Sequence, residues 1–119
     1  MGRMSRNKGK TGERELCRKL ERILPDTNWR RSQQFCGAAG DADVIGVDGL
    51  HVECKRVEGY TTTVYKWLEQ AVEDAKVSDV PLVCHRQNGQ DWIGLIYLDD
   101  LPKLYKVLKR VYENGGSDE

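Results

Sequence analysis

Three residues near the middle of the chain have side chains that could together hydrolyse a phosphate ester. Asp43 and Glu53 carry carboxylates, and Lys55 follows Glu53 by two positions. Mg²⁺ and Mn²⁺ prefer carboxylate oxygens, and Mg²⁺ keeps several waters, so one or two protein carboxylates suffice to hold it. A lysine beside such a metal could orient the attacking water and offset the charge that builds up on the phosphate. These residue types therefore favour metal-dependent phosphodiester hydrolysis.

Glu53 and Lys55 lie inside an apolar run that predicts a β-strand over residues 50 to 57. Residues two apart in a strand point to the same face of the sheet, so these two side chains share a face. A strand of a small domain often has one polar face in contact with water, and this is the alternative explanation. The hydrolytic interpretation gains weight if Asp43 comes to lie opposite Glu53.

The turn between the two predicted strands decides whether Asp43 meets Glu53. A two-residue loop, Asp48-Gly49, would place the two carboxylates on opposite faces of the sheet. A three-residue loop that also includes Val47, with Gly49 in the left-handed conformation, would place Asp43 directly opposite Glu53. We predict the three-residue loop.

A third carboxylate, Glu13, lies on the apolar stripe of the predicted first helix. At 100° per residue, Glu13 falls within the line formed by Leu16, Leu20 and Leu24. A carboxylate that faces a core is costly unless it is paired or bound to a metal. The alternative is a position in the first turn, where the helix end meets water and backbone donors are free. Glu13 is therefore a candidate third acid of the site.

The spacing of apolar residues predicts the element order α-β-β-β-α-β-β-α. The predicted elements are a helix capped by Thr11 or Gly12 and stopped by Pro25, strands over 28 to 35, 42 to 47 and 50 to 57, a helix over 63 to 77, strands over 81 to 85 and 91 to 98, and a helix capped by Asp99 or Asp100. We expect an α/β domain with a central mixed sheet flanked by helices.

Four short motifs, in this order and at these spacings, resemble the PD-(D/E)xK nuclease superfamily. They are the segment Lys8-Gly9-Lys10-Thr11-Gly12-Glu13-Arg14-Glu15, then Arg30-Arg31-Ser32, Asp43-Val44-Ile45 and Glu53-Cys54-Lys55. Over residues 8 to 57 the chain is similar to archaeal-type Holliday junction resolvases and their phage-borne relatives, and Gln70-Ala71 is similar to the phage-type proteins. The resemblance implies a restriction-endonuclease-like core and a Mg²⁺-dependent endodeoxyribonuclease, with Mn²⁺ able to substitute. It also implies a homodimer that resolves four-way DNA junctions by paired cuts.

The resemblance also implies a role for each matching residue. Glu13, Asp43 and Glu53 would serve the metal, with the main-chain carbonyl of Cys54 as an extra ligand and Lys55 as the catalytic lysine. Arg14 and Arg31 would contact phosphates, Ser32 would begin a mobile loop that approaches the DNA, and Gln70 is a possible further contact. Two departures from the archaeal-type proteins are the longer loop from Gln33 to Gly40 and the net charge of zero.

Two other functions stay open. The first is a phage or mobile-element nuclease on the same scaffold that acts on duplex ends, flaps or mismatches. The second is a DNA-binding module that has kept the fold without activity, against which the presence of all the site residues argues.

The length and composition predict one nuclease domain with two short tails. The 119 residues are 39% hydrophobic and 32% charged, which fits a single core. We predict a flexible basic arm over residues 1 to 11, the nuclease domain over 12 to 113 and a disordered acidic tail over 114 to 119. Residues 1 to 31 hold ten Lys and Arg against four Asp and Glu, so Lys8 and Lys10 could attract a phosphate backbone. A solvated basic tail is the alternative.

The remaining patterns exclude other classes of site. No apolar stretch could span a membrane and no signal region follows the basic N-terminus, so we expect a cytoplasmic protein without a membrane partner, in the host cytoplasm if it is phage-encoded. The four cysteines are scattered singly, which favours neither a zinc site nor a disulfide framework. No small-molecule cofactor is expected. His51, His85 and the aromatic residues are assigned to structure, and Asp41 is a weaker candidate than Asp43.

Overall fold

The elements of the protein follow the expected order. The computed structural model describes residues 2–25, 27–33, 41–59 and 63–114, with the backbone alone for residues 2–8. The helices are α1 (Gly2–Ile23), α2 (Val64–Asp74) and α3 (Leu101–Asn114), and the strands are β1 (Arg30–Arg31), β2 (Val44–Ile45), β3 (Leu50–Arg56), β4 (Val80–Arg86) and β5 (Ile93–Leu95). A 3₁₀ turn over Leu98–Asp100 precedes α3. Within the described ranges no helix is long and apolar enough to cross a membrane.

The five strands form one mixed sheet in the order β1-β2-β3-β4-β5. The pairs β1–β2, β2–β3 and β4–β5 are antiparallel, whereas β3 and β4 run parallel. Two parallel strands cannot be joined by a tight turn, and α2 provides the crossover between them. The prediction of an α/β domain with a mixed sheet and flanking helices is confirmed.

Helices cover both faces of the sheet. On one face α1 and α3 pack over the larger core cluster, which consists of Leu16, Leu20, Trp29, Val44, Leu50, Val52, Val80, Cys84 and Val107. On the other face α2 packs Leu68 and Ala71 against Val83. Glu53 and Lys55 alternate with Val52 along β3, so their side chains lie on the α2 face. β3 lies between β2 and β4, and the backbone of its charged residues pairs with β4, where Glu53 lies beside Val83 and Lys55 beside His85.

The turn between β2 and β3 has the predicted three-residue form. Val44 is paired with Val52 across the two strands. The backbone N–H of Leu50 donates to the carbonyl of Val47 (3.2 Å), and Gly49 has a φ of +93°, in the left-handed region that a side chain disfavours. Asp43 directly precedes this pair, and its backbone N–H donates to the carbonyl of Val52 (2.9 Å) instead of pairing with Glu53. The side chains of Asp43 and Glu53 nevertheless interact.

The first helix starts earlier than predicted. α1 begins at Gly2, so the prediction of a helix start capped by Thr11 or Gly12 was wrong. Gly12 resembled a helix boundary, yet it lies inside α1 at the point of closest approach to β3. A Cβ atom there would lie 2.5 Å from the Cβ of Arg56. The predictions for the rest of the loop up to Gly40 and for the acidic tail fall on residues 34–40 and 115–119, outside the described residues.

Replacing Gly12 with alanine is expected to destabilise the protein, although alanine favours helices. The new Cβ would overlap the side chain of Arg56, and such overpacking costs about 1 to 3 kcal/mol, more than the gain of about 1 kcal/mol in helix propensity. Gly9→Ala is a matched control in the same helix, because no atom lies within 4 Å of a Cβ at that position. Urea unfolding should rank Gly9→Ala at or above the wild type and Gly12→Ala below it. Equal free energies of unfolding for the two variants would contradict the close approach.

Candidate active site

Two carboxylates meet where β2 and β3 pair. Oδ2 of Asp43 accepts a hydrogen bond from the backbone N–H of Cys54 (2.9 Å), which fixes this carboxylate against β3. The side chain of Glu53 is only 12% exposed. Burial raises the pKa of Glu53, a hydrogen bond from His51 lowers it, and the adjacent carboxylate of Asp43 raises it again, so that the pKa lies above its ordinary value. The negative charges of Asp43 and Glu53 therefore repel each other.

Glu13 joins this pair from α1. Its Oε1 lies 2.8 Å from Nε of Arg31, a residue of β1, in an ion pair between two partly exposed side chains. Burial raises the pKa of Glu13, the hydrogen bond from Arg31 lowers it, and the negative charge of Asp43 raises it, with a net increase. The structure thus brings the helix acid into the same electrostatic cluster as the two strand acids, with one arginine to offset part of the charge.

The donor atoms suit a hard divalent cation held by two carboxylates. Among the residues that the structure describes, no three His, Cys, Asp or Glu side chains are grouped closely enough to hold a metal by themselves. Mg²⁺ needs only one or two carboxylates, since water and substrate phosphate complete its shell. The N–H and C=O of one strand residue point toward the same neighbouring strand, so the carbonyl of Cys54 faces the edge occupied by Asp43. The participation of Glu13 in metal binding stays a prediction.

Lys55 lies on the same face of β3 as Glu53 and is half-buried. Its main-chain carbonyl accepts a hydrogen bond from Nδ1 of His85 (2.8 Å), which is itself 2% exposed and packs against Trp67. Within the described part of the chain, the ammonium of Lys55 has no ion-pair partner. The backbone of this lysine is therefore fixed, while its charge is available to a phosphate or a water.

The residues proposed for phosphate contact differ in their surroundings. Lys10 and Arg14 are exposed on α1, and the side chain of Lys8 is outside the described residues. Arg31 is bound to Glu13. Ser32 is half-buried, and its backbone N–H donates to the carbonyl of Asp43 (3.0 Å). Of these candidates, Lys10 and Arg14 are therefore open to solvent. Arg31 and Ser32 are instead bound to acids of the carboxylate cluster.

Gln70 and Asp41 were the remaining candidates. Within the described part of the chain, no hydrogen bond or ion pair joins Gln70 to the carboxylate cluster. Gln70 is exposed on α2, and its amide donates to Oδ1 of Asp74 (3.1 Å) on the same helix. Asp41 is exposed and precedes the paired part of β2. Of the two aspartates considered for the metal, Asp43 is the one whose carboxylate is bound to β3 and interacts with Glu53.

One residue of the site was assigned to structure by the sequence alone. Nε2 of His51 lies 2.6 Å from Oε2 of Glu53, and the side chain of His51 is 4% exposed. The hydrogen bond to Glu53 raises the pKa of His51 against the opposing effect of burial. The available signal was strand alternation, which puts residues 51, 53 and 55 on one face.

The cysteine thiols take no visible part in this chemistry. Burial raises the pKa of Cys84 to about 12, and burial also raises the pKa of Cys54. Both thiols are therefore protonated at neutral pH, a form that does not bind metals. Cys36 is outside the described residues.

The comparisons with known proteins agree with this chemistry. The family model described as "Phage putative PDDEXK endonuclease" matches residues 4–115, a range that contains all the candidate residues. No curated protein and no solved structure matches the chain significantly. Because the family model covers nearly the whole chain, this protein belongs to that phage family of PD-(D/E)xK endonucleases.

Proposed function

We propose that the protein is a Mg²⁺-dependent endodeoxyribonuclease whose active site is built from Asp43, Glu53, Lys55 and Glu13. The observation that supports this most is the carboxylate of Asp43, which accepts from the backbone N–H of Cys54 on β3 and interacts with the carboxylate of Glu53. Such a pair is unfavourable without a counter-ion, as the raised pKa of Glu53 indicates, and a divalent cation between the two carboxylates would relieve the repulsion. Nucleases of this superfamily use divalent metals, and Mn²⁺ should replace Mg²⁺ here.

In the proposed mechanism the side chains of the protein position the metal and the attacking water and stabilise the charge that develops on the phosphate. Asp43, held by the N–H of Cys54, and Glu53 would bind the metal, with the carbonyl of Cys54 as a further ligand. When bound, the metal supplies the positive charge that polarises the phosphate and makes water a better nucleophile. Lys55 would orient the attacking water and stabilise the negative charge that develops on the phosphate oxygens. Glu13 would add negative charge to the metal site from the helix side.

DNA would approach the cationic side of α1. The acids Glu13 and Glu15 are both bound by arginines of the sheet, whereas four cations of this helix are exposed, namely Lys10, Arg14, Arg18 and Arg22. Neutralised acids no longer cancel the field of neighbouring cations, so a phosphate backbone would be attracted to this part of a protein whose net charge is zero. We assign further phosphate contacts to Lys8, to Arg31 and to Ser32 beside Asp43, and a possible contact to Gln70.

The substrate that we propose is a four-way DNA junction, cut by a homodimer in the cytoplasm of the phage host. A junction has near two-fold symmetry and needs paired nicks, which a dimer with two sites would deliver. An apolar stripe on α3 is available for dimer contact, because Leu101, Tyr105 and Tyr112 are 48%, 64% and 72% exposed and recur at helical spacing. The motif order fits a nuclease that acts on duplex ends, flaps or mismatches equally well, so cleavage assays must distinguish these substrates.

Cleavage assays on matched DNA substrates test the proposal. A four-way junction, a flap, a mismatched duplex and a linear duplex of the same arm sequence would be incubated with Mg²⁺ or with EDTA. Paired, symmetric nicks at the junction alone, and none in EDTA, are the expected result. Equal cutting of the junction and the linear duplex would reject junction resolution, and cutting confined to flaps or mismatches would assign one of those substrates.

Asp43→Asn tests the site itself, and Asp41→Asn is the matched control. Both variants exchange an acid for its amide two residues apart, but Asp43 is the one whose carboxylate accepts from Cys54 and interacts with Glu53. We expect Asp43→Asn to lose cleavage by roughly a hundredfold or more, and Asp41→Asn to cut within about threefold of the wild type. If Asp43→Asn cut as well as the wild type, the active site would have to lie elsewhere.

A further inference from the structure

We propose that His51 is a positioning residue of the nuclease site, which binds one oxygen of Glu53 and so directs the carboxylate toward Asp43 and the metal. The inference rests on the proposed metal site. It assigns to His51 a role in metal affinity.

The contact is short and shielded from water. Nε2 of His51 and Oε2 of Glu53 are 2.6 Å apart, and the two side chains are 4% and 12% exposed. A hydrogen bond to a carboxylate is among the strong ones, and exclusion of water strengthens it further. Both residues belong to β3, which is paired on either side, so their backbones cannot drift apart. The orientation of the Glu53 carboxylate is thus fixed before any metal arrives.

The direction of the hydrogen bond leaves His51 a supporting role. The carboxylate oxygen accepts, so Nε2 carries the proton and is not available as a metal ligand in this arrangement. Hard divalent ions also prefer oxygen to imidazole nitrogen. The carboxylate whose Oε2 is bound by His51 also interacts with Asp43.

Without this hydrogen bond, the position of the Glu53 carboxylate beside Asp43 would be unfavourable. Asp43 repels it, and burial penalises its charge. A carboxylate that swings away from Asp43 would no longer present a preformed pair of ligands, and the cost of restoring the pair would appear as weaker metal binding. Partners that orient metal ligands typically contribute 10- to 100-fold to metal affinity or activity.

The test compares three substitutions that separate the hydrogen bond from the volume of the ring. His51→Leu fills similar space without a donor. In His51→Gln the amide nitrogen can reach the position of Nε2, whereas in His51→Asn it lies near the position of Nδ1 and falls short of Glu53. Mn²⁺ binding would be measured without DNA from the loss of the free-ion electron paramagnetic resonance signal, after circular dichroism has established that each variant is folded.

We expect about 10- to 100-fold weaker Mn²⁺ binding for His51→Leu and His51→Asn, and binding within about threefold of the wild type for His51→Gln. The Mg²⁺ concentration for half-maximal cleavage should rise in the same order. If His51→Leu does not fold, the comparison of His51→Gln with His51→Asn still tests the role of the hydrogen bond. Wild-type affinity in His51→Leu or His51→Asn, or equal weakening in Gln and Asn, would overturn the proposal.

Asp43→Asn separates this inference from the proposed function beneath it. If Asp43→Asn binds Mn²⁺ as tightly as the wild type, the metal site itself is misplaced. If Asp43→Asn loses affinity and His51→Leu does not, the metal site stands and only the role of His51 fails.

Discussion

Replacing Glu53 with glutamine is expected to abolish DNA cleavage and, in the absence of metal, to make the protein more resistant to heat. The substitution removes one of the two negative charges beside the proposed metal while it keeps the shape of the side chain. The amide oxygen of glutamine can still accept from His51, and its NH₂ group can donate to Asp43, so the repulsion is replaced by a hydrogen bond. Cleavage should fall by roughly a thousandfold or more, because a metal ligand and the charge that attracts the metal are lost together.

The gain in stability follows from the raised pKa of Glu53. Burial and the Asp43 carboxylate raise this pKa above its ordinary value of 4.5, so the folded protein holds the proton more tightly than the unfolded chain. The free energy of unfolding therefore falls as the pH rises from the ordinary pKa through the raised one, and the full cost remains at neutral pH. Glutamine has no charge to lose and avoids this cost. The difference between variant and wild type should be small near about pH 4 and largest at neutral pH and above.

Thermal unfolding in EDTA across this pH range measures the effect. A gain of about 1 kcal/mol at neutral pH would correspond to an increase of about 4 °C in Tm. Saturating Mg²⁺ should raise the Tm of the wild type, because the metal binds the folded state, and should have little effect on Glu53→Gln. A variant less stable than the wild type in EDTA at neutral pH would show that Glu53 is not under electrostatic strain.

Replacing Lys55 with methionine is expected to remove cleavage while leaving metal binding intact. The ammonium has no ion-pair partner among the described residues, so its charge is available to the reaction, whereas the carbonyl of Lys55 and its bond from His85 survive the substitution. Methionine matches the length of the aliphatic chain. Loss of one group that stabilises developing charge costs about 10²- to 10³-fold in rate.

Single-turnover cleavage at saturating Mg²⁺ would give the rate, and Mn²⁺ binding without DNA would give the affinity. We expect the first to fall and the second to stay within about threefold of the wild type. Lys66→Met, an exposed lysine on α2, is the control for the loss of one positive charge. A cleavage rate for Lys55→Met above one tenth of the wild-type rate would remove Lys55 from the catalytic group.

Glu53 and Lys55, on which these two predictions depend, can be identified from the sequence by strand geometry. The period of two along β3 puts both side chains on one face, and the turn chemistry of Gly49 sets the register with β2. Both are local rules, because the side-chain direction of a strand residue and the conformation of a glycine turn depend on a few neighbouring residues. The carboxylate pair was accessible to sequence reasoning for that reason.

Local rules failed at the first helix. Glycine is common at helix ends, but α1 continues through Gly12. The absence of a side chain there allows α1 to pack closely against Arg56 on β3. No pattern within the first 31 residues reports on a contact more than forty positions away. The predicted cap was therefore wrong. The prediction that Glu13 on the same helix faces inward was correct, because its side chain is bound to Arg31 of the sheet.

The sequence by itself determined which acids and which lysine could act, on which face of β3 they stand and how the chain orders its helices and strands. Only the tertiary structure decided what each charged group touches: Arg31 on Glu13, Arg56 on Glu15 and the buried His51 on Glu53. The first two contacts join elements distant in sequence. His51 and Glu53 are close in sequence, but whether they meet each other or water depends on the burial of that face of the sheet. A hydrogen bond needs partners within about 3 Å, and only packing sets distances of that size.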